Sequence, residues 1–258
     1  MVGDIVGKPG RYFFMEQTPE LRHAKKIDLV IANGENAAHG KGLTPQIFDE
    51  LIRGGADVVT SGNHIWDNHN VMQIIDNEPF LLRPANYPEG TPGNGYCILT
   101  VGKKKIGVIN LSGRTFMPPV DCPFRAAEKI LATMKKNCDL IFVDFHAEAT
   151  SEKLAFANHF DGQVTAVVGT HTHIQTADER IFPQGTAYIS DLGMVGVEHS
   201  ILGMAIEPVV KRFLTGMPSR FEVAEGSRIY CALLIKLDDR NNKVVGVERI
   251  QIKERSKR

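Results

Sequence analysis

Four short β-branched runs constrain this chain more than any other feature. "KIDLVIAN", "ADVVTSGN", "CDLIFVDFH" and "VTAVVGTH" each follow a stretch with helical spacing, and each runs straight into polar residues. Short apolar strands alternating with helices predict an α/β fold. Thr44 and Pro45 predict a helix start, as N-cap and first helical residue, for a helix reaching about Arg53 and closing at Gly54 and Gly55. "GYCILTVGKKKIGVINLSG" and "YCALLIKLDDRNNKVVGVERIQI" instead read as hairpins, turning at Gly102 and Lys103 and at 239–242, so the sheets are expected to be mixed. The Pro- and Gly-rich stretch 83–93 leads directly into a strand and reads as a loop. Residues 1–258 are therefore expected to form a single domain.

Charge and composition narrow the function classes. Thirty basic and thirty acidic side chains leave a formal net charge of zero, which lacks the basic footprint of a dedicated duplex DNA binder but leaves room for a small charged substrate. No apolar stretch approaches the ~18 residues of a membrane span, and "MVGDIVGKPG" does not resemble a signal peptide. Cys97, Cys122, Cys138 and Cys231 form no CxxC pair and suit reduced thiols in the cytoplasm.

Polar residues recur where strands are expected to end: Asp4, Glu35 with Asn36, Asn63 with His64, His146, and His171 with His173. Ligands of open α/β sheets collect beyond the carboxyl ends of the strands, so these side chains are candidates for one crevice. Gly34, Gly62 and Gly169 sit just before three of these groups, where a glycine permits a sharp turn. If the strand over 164–168 continues, period-two alternation puts His171 and His173 on one side, with both rings reaching one point, unless the backbone turns between them. An HxH pair alone serves equally well as two polar loop residues. Asp4 and Asn36 also suit turns, Glu35 a surface ion pair, and His146 a satisfied core position. Together, however, the carboxylates, amide oxygens and imidazoles suit two adjacent first-row metals, Fe, Mn or Zn. Two such ions ~3.5–4 Å apart can share a hydroxide and clamp both ends of an in-line phosphoryl displacement. Phosphoester hydrolysis is the reaction class that follows. His39, Arg83, Asn86, Arg114, Glu148 and Asp191 are weaker candidates, more readily explained as structural or solvated.

The motifs "GDIVG", "GEN", "GNH", "DFHAEATSEK" and "GTHTH", in that order, resemble those of the calcineurin-like metallophosphoesterase superfamily. The wording "GENAAHGKGLT", "RPANYPEGTPG", "FHAEATSEKLA" and "VVGTHTHIQTAD" is more specifically similar to the bacterial YmdB-type 2′,3′-cyclic-nucleotide phosphodiesterases, over nearly the whole chain. The resemblance implies a two-sheet αββα sandwich and two metal ions, with iron expected and Mn or Zn as alternatives. It implies Asp4, Glu35, Asn36 and His173 as ligands of one metal, and Asn63, His146 and His171 with a bridging Glu35 as ligands of the other. His64 is implied as the proton donor, and a 2′,3′-cyclic nucleotide as the substrate. RNA or protein partners and a homo-oligomer are compatible additions, as are broader phosphoesterase activity and a regulatory or RNA-binding module with little turnover. Two departures stand out. Val6 and Glu35 stand where the wider superfamily has a histidine and an aspartate, with Asn36 available to fill the vacancy. Relatives also carry more apolar residues ahead of "GD", so strand 1 is expected to be short and Asp4 loosely held.

Overall fold

The computed structural model describes residues 1–254. Its first sheet contains β1 (Asp4–Ile5), β2 (Ile31–Asn33), β3 (Val58–Thr60), β10 (Met194–Val197), β11 (Arg228–Leu237) and β12 (Val244–Lys253). Its second is ordered β4 (Tyr96–Val101), β5 (Lys104–Ser112), β6 (Leu140–His146), β7 (Ala166–Thr170), β9 (Ala187–Ile189), β8 (Arg180–Ile181). Both sheets mix parallel and antiparallel pairs. In the first, Val2 joins the two halves by bridging Ala32 on one side and Ala232 on the other.

Helices α1 (Gly7–Lys25) and α2 (Pro45–Arg53) cover the first sheet, where Phe13, Phe14, Phe48 and Leu51 share a core with Val59, Val195 and Tyr230. Helices α3 (Pro123–Met134) and α4 (Thr150–His159) cover the second, with Leu131 and Phe156 against Ile109, Phe145 and Val167. Ile31, Val58, Val108 and Phe142 meet Ile235 and Leu237 between the sheets. The architecture is thus the expected two-sheet αββα sandwich. Helix α2 starts as expected, with the Thr44 hydroxyl accepting from the Ile47 amide at 3.3 Å, and Gly54 closes it. Both expected hairpins form. Among the described residues no helix is long and apolar enough to cross a membrane, and the four cysteines are free.

Strand β6 shows how the layers position function. It is buried throughout, with Ile141, Val143 and Phe145 toward the helices and Leu140 and Phe142 toward the other sheet. Period-two alternation therefore puts Asp144 and His146 on the inter-sheet side, at the strand's carboxyl end.

Strand β1 is short, as expected, but Asp4 is not loosely held. It is fully buried, its amide donates to Gly193 O at 3.0 Å, and its carboxylate accepts from the His171 amide at 3.1 Å. Beside Met1, a groove of about 580 Å³ is lined by Leu29, Ile106, Phe142, Leu234 and Ile235 together with charged residues that include Lys104, Lys236 and Asp239. The Met1 ammonium is buried at its end, donating to Leu233 O at 2.8 Å, and burial lowers its pKa to about 5. Adding four apolar residues before Met1 is expected to lengthen β1 into this groove and bury further apolar surface. A net gain of about 2 kcal/mol would raise Tm by about 4–8 °C. Four serines at the same place should give no such rise, and equal melting temperatures for the two extensions would refute the strand-lengthening account.

Candidate metal centre

The strand ends bring the candidate residues into one crevice. Asp4 lies in β1, Glu35 and Asn36 follow β2, and Asn63 and His64 follow β3; His146 ends β6 in the facing sheet, while His171 and His173 follow β7. Asp4, Glu35, Asn36 and His146 are buried and form the floor. Asn63, His64, His171 and His173 are half-buried around them.

Glu35 sits between two groups of donor atoms. On one side, His146 Nε2 lies 3.1 Å from Glu35 Oε1, 3.1 Å from Asn63 Oδ1 and 3.0 Å from His171 Nδ1. On the other, Asn36 Nδ2 lies 3.0 Å from Glu35 Oε1, 3.1 Å from His173 Nε2 and 3.4 Å from Asp4 Oδ1. His171 and His173 therefore face different groups, the exception that the alternation reading allowed for a backbone that turns between them. The strand ends at Thr170, and His171 (φ 102°) and His173 (φ 64°) both adopt left-handed backbone, which swings the rings to opposite sides of Glu35.

Each imidazole is oriented from outside the cluster. His173 Nδ1 meets Leu202 O at 3.0 Å, and a carbonyl can only accept, so Nδ1 carries the proton and Nε2 turns a lone pair inward. His171 Nε2 faces Glu148 Oε2 at 3.3 Å, leaving Nδ1 inward. His146 Nδ1 lies 2.9 Å from Thr170 Oγ1, whose hydroxyl donates to buried Asp144 Oδ1 at 2.7 Å, so that ring is held through a hydroxyl relay. Outer nitrogens tied to oxygen and inner nitrogens converging is the usual arrangement around a metal.

Spacing and space agree with that reading. Bonds of about 2.1 Å at right angles separate neighbouring donor atoms by about 3.0 Å, close to the separations in both groups. Donor atoms of Glu35, His146 and His171 lie within 4.8 Å of one another. Gly62 forms a wall: a Cβ there would fall 2.2 Å from His146 Cδ2 and 2.4 Å from Glu35 Oε2. Gly34, Gly62 and Gly169 do not have positive φ, which corrects the expected turn role; Gly169, too, is needed for space, because a Cβ would lie 1.8 Å from Ser190 O.

The charges are strongly coupled. Burial pushes Asp4 up to about 6, against the pull of His173 and His146. Burial also opposes ionisation of Glu35, but His146 and then His64 outweigh it and lower its pKa. Burial disfavours a charged His146, yet Glu35 raises its pKa, while burial and the His146 charge drive His171 down to about 3. The pull of Glu35 on His146 thus favours positive charge at a point surrounded by oxygen and nitrogen donors.

A family model described as YmdB-like protein matches residues 1–250. The chain belongs to the YmdB-like family. It is 53% identical, over 97% of its length and 95% of the relative's, to a 2′,3′-cyclic-nucleotide 2′-phosphodiesterase of Bacillus subtilis strain 168. Among solved structures, a hypothetical protein from Thermus thermophilus superposes with a TM-score of 0.93 at 41% identity, covering 98% of each chain. A novel phosphatase from Mycoplasma pneumoniae gives 0.93 at 37% identity, covering 98% of this chain and 92% of its own.

Several residues around this YmdB-like site escaped the sequence reading. Asp67 Oδ2 lies 2.9 Å from His64 Nδ1, and its i+3 spacing in "GNHIWD" was a usable signal. Lys153 is buried in an ion pair with Asp191 at 2.8 Å and also donates to Thr170 O at 2.9 Å. Asp191 in turn accepts from the Thr172 amide at 3.0 Å, so the pair fastens the loop that carries His171 and His173. A lysine in a short helix reads as solvated, and nothing in the sequence marks this one as buried. Of the weaker candidates, Arg83 donates to loop carbonyls, Asn86 donates to Ser112 O at the end of β5 and to Asp121 O, Arg114 has its amide capped by Glu152, and His39 is exposed.

Proposed function

We propose that the chain is a metal-dependent phosphoric diester hydrolase that opens 2′,3′-cyclic nucleotides to 3′-nucleotides. The observation that carries this reading is the Glu35 carboxylate flanked by two donor groups, with the His64–Asp67 pair at the same crevice. Asp4, Asn36 and His173 would hold one metal and Asn63, His146 and His171 the other, with Glu35 shared. Half a turn of the Asn36 amide presents its oxygen to the first position. When bound, the metals would supply water activation and neutralisation of the phosphoryl oxygens. His64, with Nδ1 fastened to Asp67, offers Nε2 as the proton donor to the departing ribose oxygen. A water-derived oxygen adds to phosphorus, the P–O2′ bond breaks, and the His64 proton ends on O2′.

The bond assignment follows the named activity of the Bacillus relative. We assign iron as the metal, with Mn or Zn as alternatives, and a cytoplasmic setting in keeping with the free cysteines. The test combines metal analysis of protein purified without chelator with turnover of 2′,3′-cyclic AMP, an aryl diester and an aryl monoester. Two metals per chain and preference for the cyclic nucleotide are expected. A flat profile across all three substrates would favour a broad phosphoesterase instead.

The hydroxyl relay gives a separate expectation. Thr170→Val removes the link between Asp144 and His146 at nearly constant volume, and should weaken metal binding by ~10–100-fold, the usual cost of losing an outer-shell partner. Thr170→Ser should restore it. Calorimetric titration of metal-free protein with Mn²⁺ measures both, and equal affinities for Val and Ser variants would remove the relay from the account.

A further inference from the structure

Two aromatic side chains, Trp66 and Tyr87, stand beside the metal centre without a part in its chemistry. Trp66 lies two residues past His64, in the turn over 63–66 that also carries Asn63. Tyr87 comes from the loop before β4 and is placed through its neighbour. The Asn86 side chain accepts from the Ser112 amide and donates to Ser112 O, both at 2.8 Å, and Ser112 pairs in register with His146. The two rings meet edge to face, with centroids 5.9 Å apart and planes at 76°. Both pack partly against the first sheet's core and both stay half-buried. Burial raises the pKa of the Tyr87 hydroxyl and the Glu35 charge raises it further, which places this ring within electrostatic reach of the metal centre. An edge-to-face contact covers only one of the pair's four ring faces, so a flat ring can stack on a face that the core leaves free.

We infer that Trp66 and Tyr87 form the platform on which the substrate's nucleobase stacks, an inference that rests on the cyclic-nucleotide hydrolase reading above. The connectivity of the ribose supplies the link. O2′ is bonded to C2′, the neighbour of the carbon that carries the base, so a proton donor placed at O2′ has the base close beside it. In the proposed assignment that donor is His64, and the rings at hand are those of Trp66, in the same turn, and Tyr87 against it. Stacking on an aromatic face tolerates every base, because each has a π-face. The platform therefore separates nucleotides from cyclic diesters that lack a base, and does not single out one nucleotide.

Trp66 is the single tryptophan of the chain, which gives a readout independent of turnover. Titrating protein purified without chelator with adenosine 3′-phosphate should quench its fluorescence, whereas ribose 3-phosphate over the same concentrations should not. In kinetics, Tyr87→Leu should cut the kcat/KM preference for 2′,3′-cyclic AMP over ribose 2,3-cyclic phosphate by ~10–100-fold, the usual worth of one base on an aromatic ring. The loss should fall on KM and not on kcat, as for binding shared by ground and transition states. Tyr87→Phe, which keeps the ring, should restore the preference. Because leucine at 87 could also loosen the loop, the titration of the unaltered protein stands as a separate arm. Base-dependent quenching in a protein that does not turn over cyclic nucleotides would support the platform and fail the hydrolase reading alone. Absence of a base-dependent quench, or equal slowing of both cyclic diesters in Tyr87→Leu, would reduce the pair to packing between two loops and overturn the inference.

Discussion

Glu35→Gln is expected to leave the protein with fewer than two bound metals per chain and to slow phosphodiester turnover by at least ~10²–10³-fold, the cost of removing one preorganised electrostatic group. Glu35 is fully buried, and Oε1 lies close to both donor groups, 3.1 Å from His146 Nε2 and 3.0 Å from Asn36 Nδ2. Its Oε2 accepts from the His64 amide at 3.0 Å, so the side chain is held in place from behind. Glutamine preserves size and one oxygen but removes the only charge that both groups share. The fold should survive, since His146 without its anion can become neutral, as burial alone favours. Metal content after dialysis and kcat on 2′,3′-cyclic AMP measure the two effects. A variant that retains two metals and full turnover would remove Glu35 from the proposed metal site.

His64→Ala should behave differently, keeping both metals while hydrolysing a ribose diester ~10²–10⁴-fold more slowly, the usual worth of a general acid. Its neighbour Asn63 offers the oxygen that faces His146, whereas the His64 ring turns to Asp67, in keeping with adjacent side chains leaving the backbone in different directions. An aryl diester whose nitrophenolate leaves without a proton should be slowed far less. Asp67→Asn should show the same pattern at smaller amplitude, because the amide still bonds the ring and holds its direction but carries no charge. Loss of a metal from His64→Ala, or equal slowing of both substrates, would make His64 a ligand or a loop support.

The sequence by itself determined the element types and the chemistry available. Helix α2 was legible because Thr44, Pro45 and Gly54 act on their own backbone, and the hairpins because their turns lie between adjacent strands. The donor residues were legible because strand-end polar groups gather in one crevice of an α/β sheet, whatever the details of packing. Their grouping did not follow from spacing or alternation: only the resemblance implied it, and its physical basis lies in three dimensions. Alternation does not extend past Thr170 to His171 and His173, because the backbone turns there: the ring directions depend on positive φ values in a loop fastened by Lys153 of α4 and by Asp191, just after β9. Gly62 is required by the His146 ring, 84 positions away in sequence. Asp144 and Thr170 look like ordinary strand residues until β6 and β7 pair and join them to His146. Local sequence specifies what each backbone segment can do and which atoms it carries; the direction in which an imidazole turns its lone pair is set by partners that only folding brings within hydrogen-bond distance.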